Sequence, residues 1–165
     1  MQRGPKAVPG AYQIHLTVGT TTQTATFKVL GDPGAHLTQQ DYQSQYDLLK
    51  RVEDAIAQIQ DAGKTIQQRR ASLPAGDPKL AELTALQAAL GAAGGRGGRG
   101  GGGGGAEAGG APPRMGGTQP LLSEFTSLYT FVHDSENRPT GAALDRYRDL
   151  RKVLDADLAK LEPAR

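Results

Sequence analysis

The chain has 165 residues, a formal net charge of +2, no cysteine and no tryptophan. The balanced charge does not favour a nucleic-acid or membrane partner, and the lack of cysteine excludes a disulfide scaffold, a thiolate metal site and a cysteine nucleophile. Glycine is unusually common, with 23 residues, 15 of them between Gly91 and Gly117. No apolar run reaches the roughly 18 residues of a membrane span, and we expect no signal peptide in this chain because its first ten residues lack an apolar segment.

Residues 1–34 are predicted to form a β-hairpin. Apolar and polar side chains alternate through residues 11–30, interrupted by a turn that begins at Gly19, and this period of two is typical of two half-buried antiparallel strands. Tyr12 follows a Pro9-Gly10 turn, as the tyrosine of a tyrosine corner does in immunoglobulin-like sandwiches. The hairpin is therefore interpreted as part of such a sandwich. The alternative is a small hairpin that packs on a helical bundle.

Residues 38–90 are predicted to form a long helical hairpin. Thr38 and Asp41 have the spacing of a capping box, and a seam of apolar residues follows, made of Tyr42, Leu49, Val52, Ile56, Ile59, Ile66 and Leu73. Gly63 lies on this seam, where a neighbouring backbone can approach or the helix can bend, whereas Gln58 is expected to face water. Asp77 and Pro78 are favourable first residues for a second helix, whose apolar seam is Leu80, Leu83, Leu86 and Leu90.

Residues 91–117 are predicted to be a disordered glycine-rich linker. Residues 118–165 then form a C-terminal helical hairpin. Its first helix has the densest apolar content in the chain, with Leu121, Leu122, Phe125, Leu128, Tyr129, Phe131 and Val132. Thr140 is expected to cap the last helix, which has Leu144, Tyr147, Leu150, Leu154, Leu158 and Leu161 on one face and a charged, solvated face that includes Asp157. The predicted fold class is mainly α, a partial immunoglobulin-like strand pair followed by a three- or four-helix antiparallel bundle.

No catalytic, cofactor-binding or metal-binding residue is predicted. His15, His36 and His133 lie in a strand, a turn and a loop, and none has another ligand at metal-binding spacing. The carboxylates are expected mainly on solvated helical faces. The repeats that begin at Arg96 and Arg99 resemble the RGG segments that bind single-stranded nucleic acid, but only two are present and no aromatic residue lies between them. A flexible linker is the favoured interpretation.

The order of these elements resembles the C-terminal region of bacterial sortilin-like proteins. The resemblance is carried by PG-x-Y-x-I-x-L-T-V at Pro9 to Val18, F-K-V at Phe27 to Val29, Asp32-Pro33 before the long helix, and Pro139-Thr140 before the last helix. These large proteins have β-propellers with BNR or Asp-box repeats and are often described as glycosyl-hydrolase-like. The resemblance implies a fragment of a secreted, extracellular or periplasmic parent protein, since Met1 falls just before the Pro-Gly turn.

The resemblance carries over no functional residue, because this chain has neither propeller blades nor an Asp-box of the S-x-D-x-G-x-T-W type. We therefore expect a non-catalytic accessory module whose partner is the upstream propeller of the same parent. The alternatives are a stand-alone protein that self-associates through its helical seams, and an RGG-type nucleic-acid binder. Neither an enzymatic activity nor a cofactor is expected of this chain.

Overall fold

A computed structural model describes residues 4–92, 119–135 and 137–161. Within these ranges a two-stranded antiparallel hairpin is followed by four helices, which confirms the predicted fold class. The helices are α1 (Gln39–Ser72), α2 (Lys79–Leu90), α3 (Leu121–His133) and α4 (Gly141–Ala159). Each of these helices contacts the other three, and together they form a four-helix bundle.

The hairpin consists of β1 (Gly10–Val18) and β2 (Thr21–Val29), paired in register from Gly10 opposite Val29 to Val18 opposite Thr21. The loop between them begins at Gly19, as predicted, and contains only Gly19 and Thr20. Gly19 has a φ of +60°, which a glycine adopts without steric cost at the first position of a type II′ turn. This tight loop aligns the two strands over their full length.

Helix α1 begins with the predicted capping box. The backbone amide of Asp41 donates to the Thr38 hydroxyl over 3.2 Å, and the amide of Thr38 donates to the Asp41 carboxylate over 3.0 Å. The hydrogen bond from the Thr38 side chain also holds the pKa of Asp41 below its ordinary value. The start of α1 is thereby fixed directly after the loop that leaves the hairpin.

The second and fourth helices begin close to the predicted positions. Helix α2 starts at Lys79, one residue after the predicted Pro78, and the Asp77 carboxylate accepts the Lys79 amide over 2.8 Å. Thr140 caps α4 by accepting the amide of Ala143 over 3.2 Å.

The core of the bundle is formed mainly by the predicted seams. Phe125, Ile59 and Leu154 are completely buried, one each from α3, α1 and α4. The seam of α1 is wider than predicted, because Leu48, Ala55 and Ala62 are also buried. The ends of the predicted seams, Tyr42, Leu73 and Leu80, are only partly buried.

Two predictions about single side chains were wrong, those for Asp157 and Gln58, and one apolar side chain of α3 is exposed. Phe131 is 61% exposed, because it lies on the side of α3 away from the core, and Asp157 is only 7% exposed although it was assigned to the charged face of α4. The Asp157 carboxylate pairs with the Lys160 ammonium over 2.6 Å. Gln58 is partly buried and accepts a hydrogen bond of 2.8 Å from the Arg151 guanidinium of α4, so it does not face water freely.

Two glycines mark close approaches around the end of α2. A Cβ added to Gly63 would lie 2.6 Å from the Cβ of Ala92, and one added to Gly91 would lie 2.5 Å from the Cβ of Pro120. Gly91 also closes α2 in the left-handed conformation, with a φ of +70°. Gly91 and Ala92 therefore pack against the bundle, although the predicted linker included them. The remainder of that predicted linker lies outside the described residues.

Candidate functional site

One face of the hairpin is an uncovered apolar surface. Ile14 is 54% exposed, Leu16 60%, Val18 71% and Phe27 45%. In the observed register Tyr12 lies opposite Phe27 and Ile14 lies opposite Ala25, so these side chains share one face of the sheet. None of the described helices packs against either strand, and the face is left open to solvent.

The opposite face of the hairpin is polar and internally hydrogen bonded. The His15 ring nitrogen Nδ1 lies 2.9 Å from the Thr24 hydroxyl, and the hydroxyls of Thr17 and Thr22 are also 2.9 Å apart. Such cross-strand pairs help to stabilise a pair of antiparallel strands. His15 therefore lies on the polar face of the hairpin.

Tyr12 anchors the start of β1 by a bond back to the preceding segment. Its hydroxyl donates to the backbone carbonyl of Val8, four residues upstream, over 2.6 Å, and its ring stacks on that of Phe27 with centroids 5.7 Å apart. A tyrosine hydroxyl bound to a carbonyl a few residues upstream is the defining contact of a tyrosine corner. The local geometry expected from the Pro-Gly-Ala-Tyr sequence is therefore present.

A cleft of about 440 Å³ lies between the base of the hairpin and the bundle. Its lining is mostly apolar and includes Val8, Val29, Leu37, Tyr42, Tyr46 and His133. The Gln39 side chain of α1 donates to the carbonyl of Pro9, a residue that lines the cleft, over 2.8 Å. Sequence reasoning missed this cleft, because its residues come from four separate segments of the chain.

Tyr42 lies where the hairpin joins the bundle. A Cβ on Gly31 would lie 3.0 Å from the Tyr42 hydroxyl oxygen. This oxygen is buried, and none of the described groups accepts or donates a hydrogen bond to it. Glycine at position 31 thus allows the chain that leaves β2 to pass closely over the first turns of α1.

The titratable groups of the described residues do not converge on one another. No group of three or more histidine or acidic side chains is placed to hold a metal ion within residues 4–92, 119–135 and 137–161. His36 is exposed and follows the turn at Pro33 and Gly34. His133 was predicted in a loop but is the last residue of α3. Its ring stacks on Tyr129 with centroids 5.6 Å apart, and its Nδ1 lies 3.0 Å from the Asp134 carboxylate. Arg96 and Arg99 lie outside the described residues.

The pKa of Tyr129 is well above its ordinary value. Burial raises it to about 12, with further contributions from the charge of Glu53 and the hydrogen bond between the two side chains. The Tyr129 hydroxyl lies 3.3 Å from the Glu53 carboxylate in the interface between α3 and α1. Tyr129 belongs to the core and Glu53 is partly buried beside it, and neither residue lines the cleft.

Comparison of the chain with models of protein families, with curated proteins and with solved structures found no match. None of the helices in the described part of the chain is both long and apolar enough to cross a bilayer. The function must therefore be argued from the geometry of the hairpin and its junction with the bundle.

Proposed function

We propose that the chain is a non-catalytic accessory module of a larger secreted protein, and that its hairpin packs on β-structure of that parent. The observation that carries the proposal is the contrast between the two halves of the molecule. The helices bury their apolar seams against one another, whereas the hairpin leaves a face of large apolar side chains half exposed. An isolated two-stranded hairpin is marginally stable in water, so this face needs a cover from outside the bundle.

The free energy that burial of this apolar face would provide favours a partner in the same polypeptide. Full burial of a Val, Leu, Ile or Phe side chain stabilises by about 1.5–3 kcal/mol. Four such side chains, each about half exposed, offer roughly 3–6 kcal/mol on the same scale. Joining two free molecules costs about 4–15 kcal/mol in translational and rotational freedom. A covalently tethered partner avoids most of this cost.

The proposed parent is a sortilin-like protein with a BNR or Asp-box β-propeller, located outside the cell or in the periplasm. The support is the order of elements, namely a hairpin, a helical hairpin, a glycine-rich segment and two final helices. The tyrosine-corner contact between Tyr12 and Val8 supports the immunoglobulin-like character of the strand pair. The module would position the propeller and take no part in chemistry itself.

Self-association through the helical seams is less favoured. The residues it would require, such as Val52, Ile59 and Leu154, are completely buried inside the bundle. Opening the bundle to pair these seams between molecules would first expose that core. Any self-association of the folded chain is therefore expected through the hairpin face.

The size of the protein in its source cells tests the proposal. An antibody raised against the recombinant chain should detect a polypeptide much larger than 17.3 kDa, in the medium or in a periplasmic extract. The recombinant chain on the same blot provides the size control. A single band of 17.3 kDa would overturn the accessory-module proposal.

A further inference from the structure

We propose that the free edge of β1, rather than that of β2, receives an antiparallel strand from the parent protein. This inference rests on the proposed function and specifies how the hairpin would join its partner. A hairpin has two free edges, each with a row of backbone amides and carbonyls. Two features of this hairpin distinguish the edges.

The register shows which backbone groups point outward. Val18 and Thr21 flank a two-residue loop, so they exchange hydrogen bonds with each other, and hydrogen-bonded and non-hydrogen-bonded pairs alternate from there. The short side-chain contact between Thr17 and Thr22 fits the closer spacing of a non-hydrogen-bonded pair. The outward amides are therefore those of alternate residues, namely Ala11, Gln13, His15 and Thr17 on β1 and Thr22, Thr24, Thr26 and Lys28 on β2.

The first difference between the edges is their side-chain chemistry. Of the four large exposed apolar residues in the two strands, three (Ile14, Leu16 and Val18) belong to β1, so β1 contributes most of the open apolar face. The only lysine or arginine of the two strands is Lys28, which is exposed on β2. Lysine is a residue that natural edge strands use to prevent unwanted pairing. The β1 edge has no comparable protection.

The second difference is the tyrosine corner. In immunoglobulin-type sandwiches this tyrosine stands near the start of strand F, which lies in the sheet with strands C and G. Tyr12 makes the corresponding contact at the start of β1, so β1 corresponds to strand F. Strand F has a neighbouring strand on each side. The following strand, β2, then corresponds to the edge strand G.

The added strand should itself be amphipathic. Its residues opposite Ile14 and Leu16 would point to the apolar face and extend it, because neighbouring side chains across a ladder share a face. The remaining positions would point to the threonine-rich polar face. The enlarged sheet would then pack its apolar face on a second sheet of the parent, as in a sandwich.

Hydrogen exchange on the polypeptide immunopurified from source cells tests this assignment. Compared with the isolated chain, the Gln13, His15 and Thr17 amides should exchange at least about 100-fold more slowly, while the Thr22, Thr24 and Thr26 amides change by less than about 10-fold. Protection of the β2 amides alone, or of neither edge, would overturn the inference. The absence of a larger polypeptide would instead contradict the proposed function, so the two failures are distinguishable.

A matched pair of proline substitutions provides a second measurement. Gln13 and Thr26 lie directly opposite each other, and a proline at an outward amide leaves the ladder within the hairpin intact. In the larger polypeptide, Gln13→Pro should remove the protection of the His15 and Thr17 amides, whereas Thr26→Pro should leave it unchanged. Equal effects of the two substitutions would contradict an added strand on β1.

Discussion

At the residue scale, Ile59 tests whether the seam of α1 is the core of the bundle. Its side chain is completely buried, so Ile59→Ala should lower the free energy of unfolding by roughly 2–5 kcal/mol, the usual range for a buried Ile site. Gln60, the next residue along α1, is exposed, and Gln60→Ala should change it by no more than about 0.5 kcal/mol. Denaturant titration of both variants measures this contrast. Similar small effects at both positions would mean that α1 is a solvent-exposed stalk.

Tyr129 should give the bundle a stability that depends on pH. Its pKa in the folded chain is about 12, above the value of about 10 expected in the unfolded chain. The folded state thus holds the phenolic proton more tightly. The stabilisation by the neutral hydroxyl is fully present below about pH 10 and is lost as the pH rises toward about 12.

Tyr129→Phe is the variant that isolates this effect from the titration of other groups. The free energy of unfolding of the wild-type chain should fall more steeply between about pH 10 and 12 than that of Tyr129→Phe, as measured by urea titration at each pH. Absorbance of tyrosinate should also show one late-titrating group that the variant lacks. Parallel stability curves for the two proteins would contradict the burial of this hydroxyl beside Glu53.

At the element scale, Gly63 determines how closely α1 approaches the end of α2. In an open helix Gly→Ala is stabilising by up to about 1 kcal/mol. At position 63 the new methyl group would lie 2.6 Å from the Cβ of Ala92 and 3.3 Å from its carbonyl oxygen. We therefore expect Gly63→Ala to destabilise the bundle by about 1–3 kcal/mol, the usual effect of overpacking.

Gly141 provides the control for this prediction, since it lies in the first turn of α4 and a Cβ there would meet nothing within 4 Å. Gly141→Ala should be neutral or slightly stabilising. Thermal unfolding of the two variants makes the comparison. A gain of stability at both positions would show that Ala92 does not pack on α1.

The connection between α2 and α3 should tolerate shortening, because its two ends are close together. Gly91 and Pro120 are in contact, so a short loop can span residues 93–118. Reducing this segment to about ten residues should stabilise the chain by about 0.9 kcal/mol, from the (3/2)RT ln n dependence of loop closure. Circular dichroism and thermal unfolding measure the outcome. Loss of helical signal in the shortened chain would show that the segment contributes to the fold.

At the scale of the whole molecule, local signals predicted most of the fold. The Thr38 and Asp41 capping box and the alternation in the hairpin act between residues a few positions apart, so the sequence shows them directly. The exposure of Phe131 and the burial of Asp157 depend on how each helix is rotated against its neighbours. The periodicity of apolar residues within one helix does not determine this rotation precisely enough to predict the burial of every side chain.

The candidate site was predictable only in part. The tyrosine corner follows from a short motif, and the contact of Tyr12 with Val8 lies within it. The uncovered state of the hairpin face could not be read from the sequence, because the same alternation fits a hairpin packed on the bundle equally well. The cleft brings Val8, Tyr42 and His133 together from distant parts of the chain, and no local pattern indicates it.

The central claim is that the bundle is complete in itself whereas the hairpin depends on a partner outside it. Amide hydrogen exchange of the isolated chain, resolved by residue, tests this most directly. The amides of Ile14, Leu16 and Phe27 should exchange at least about 100-fold faster than those of Ile56 and Leu154, because no described helix covers the strands. Equal protection in the hairpin and in the helices would contradict the claim and would mean that the hairpin is part of the bundle's own cooperative unit.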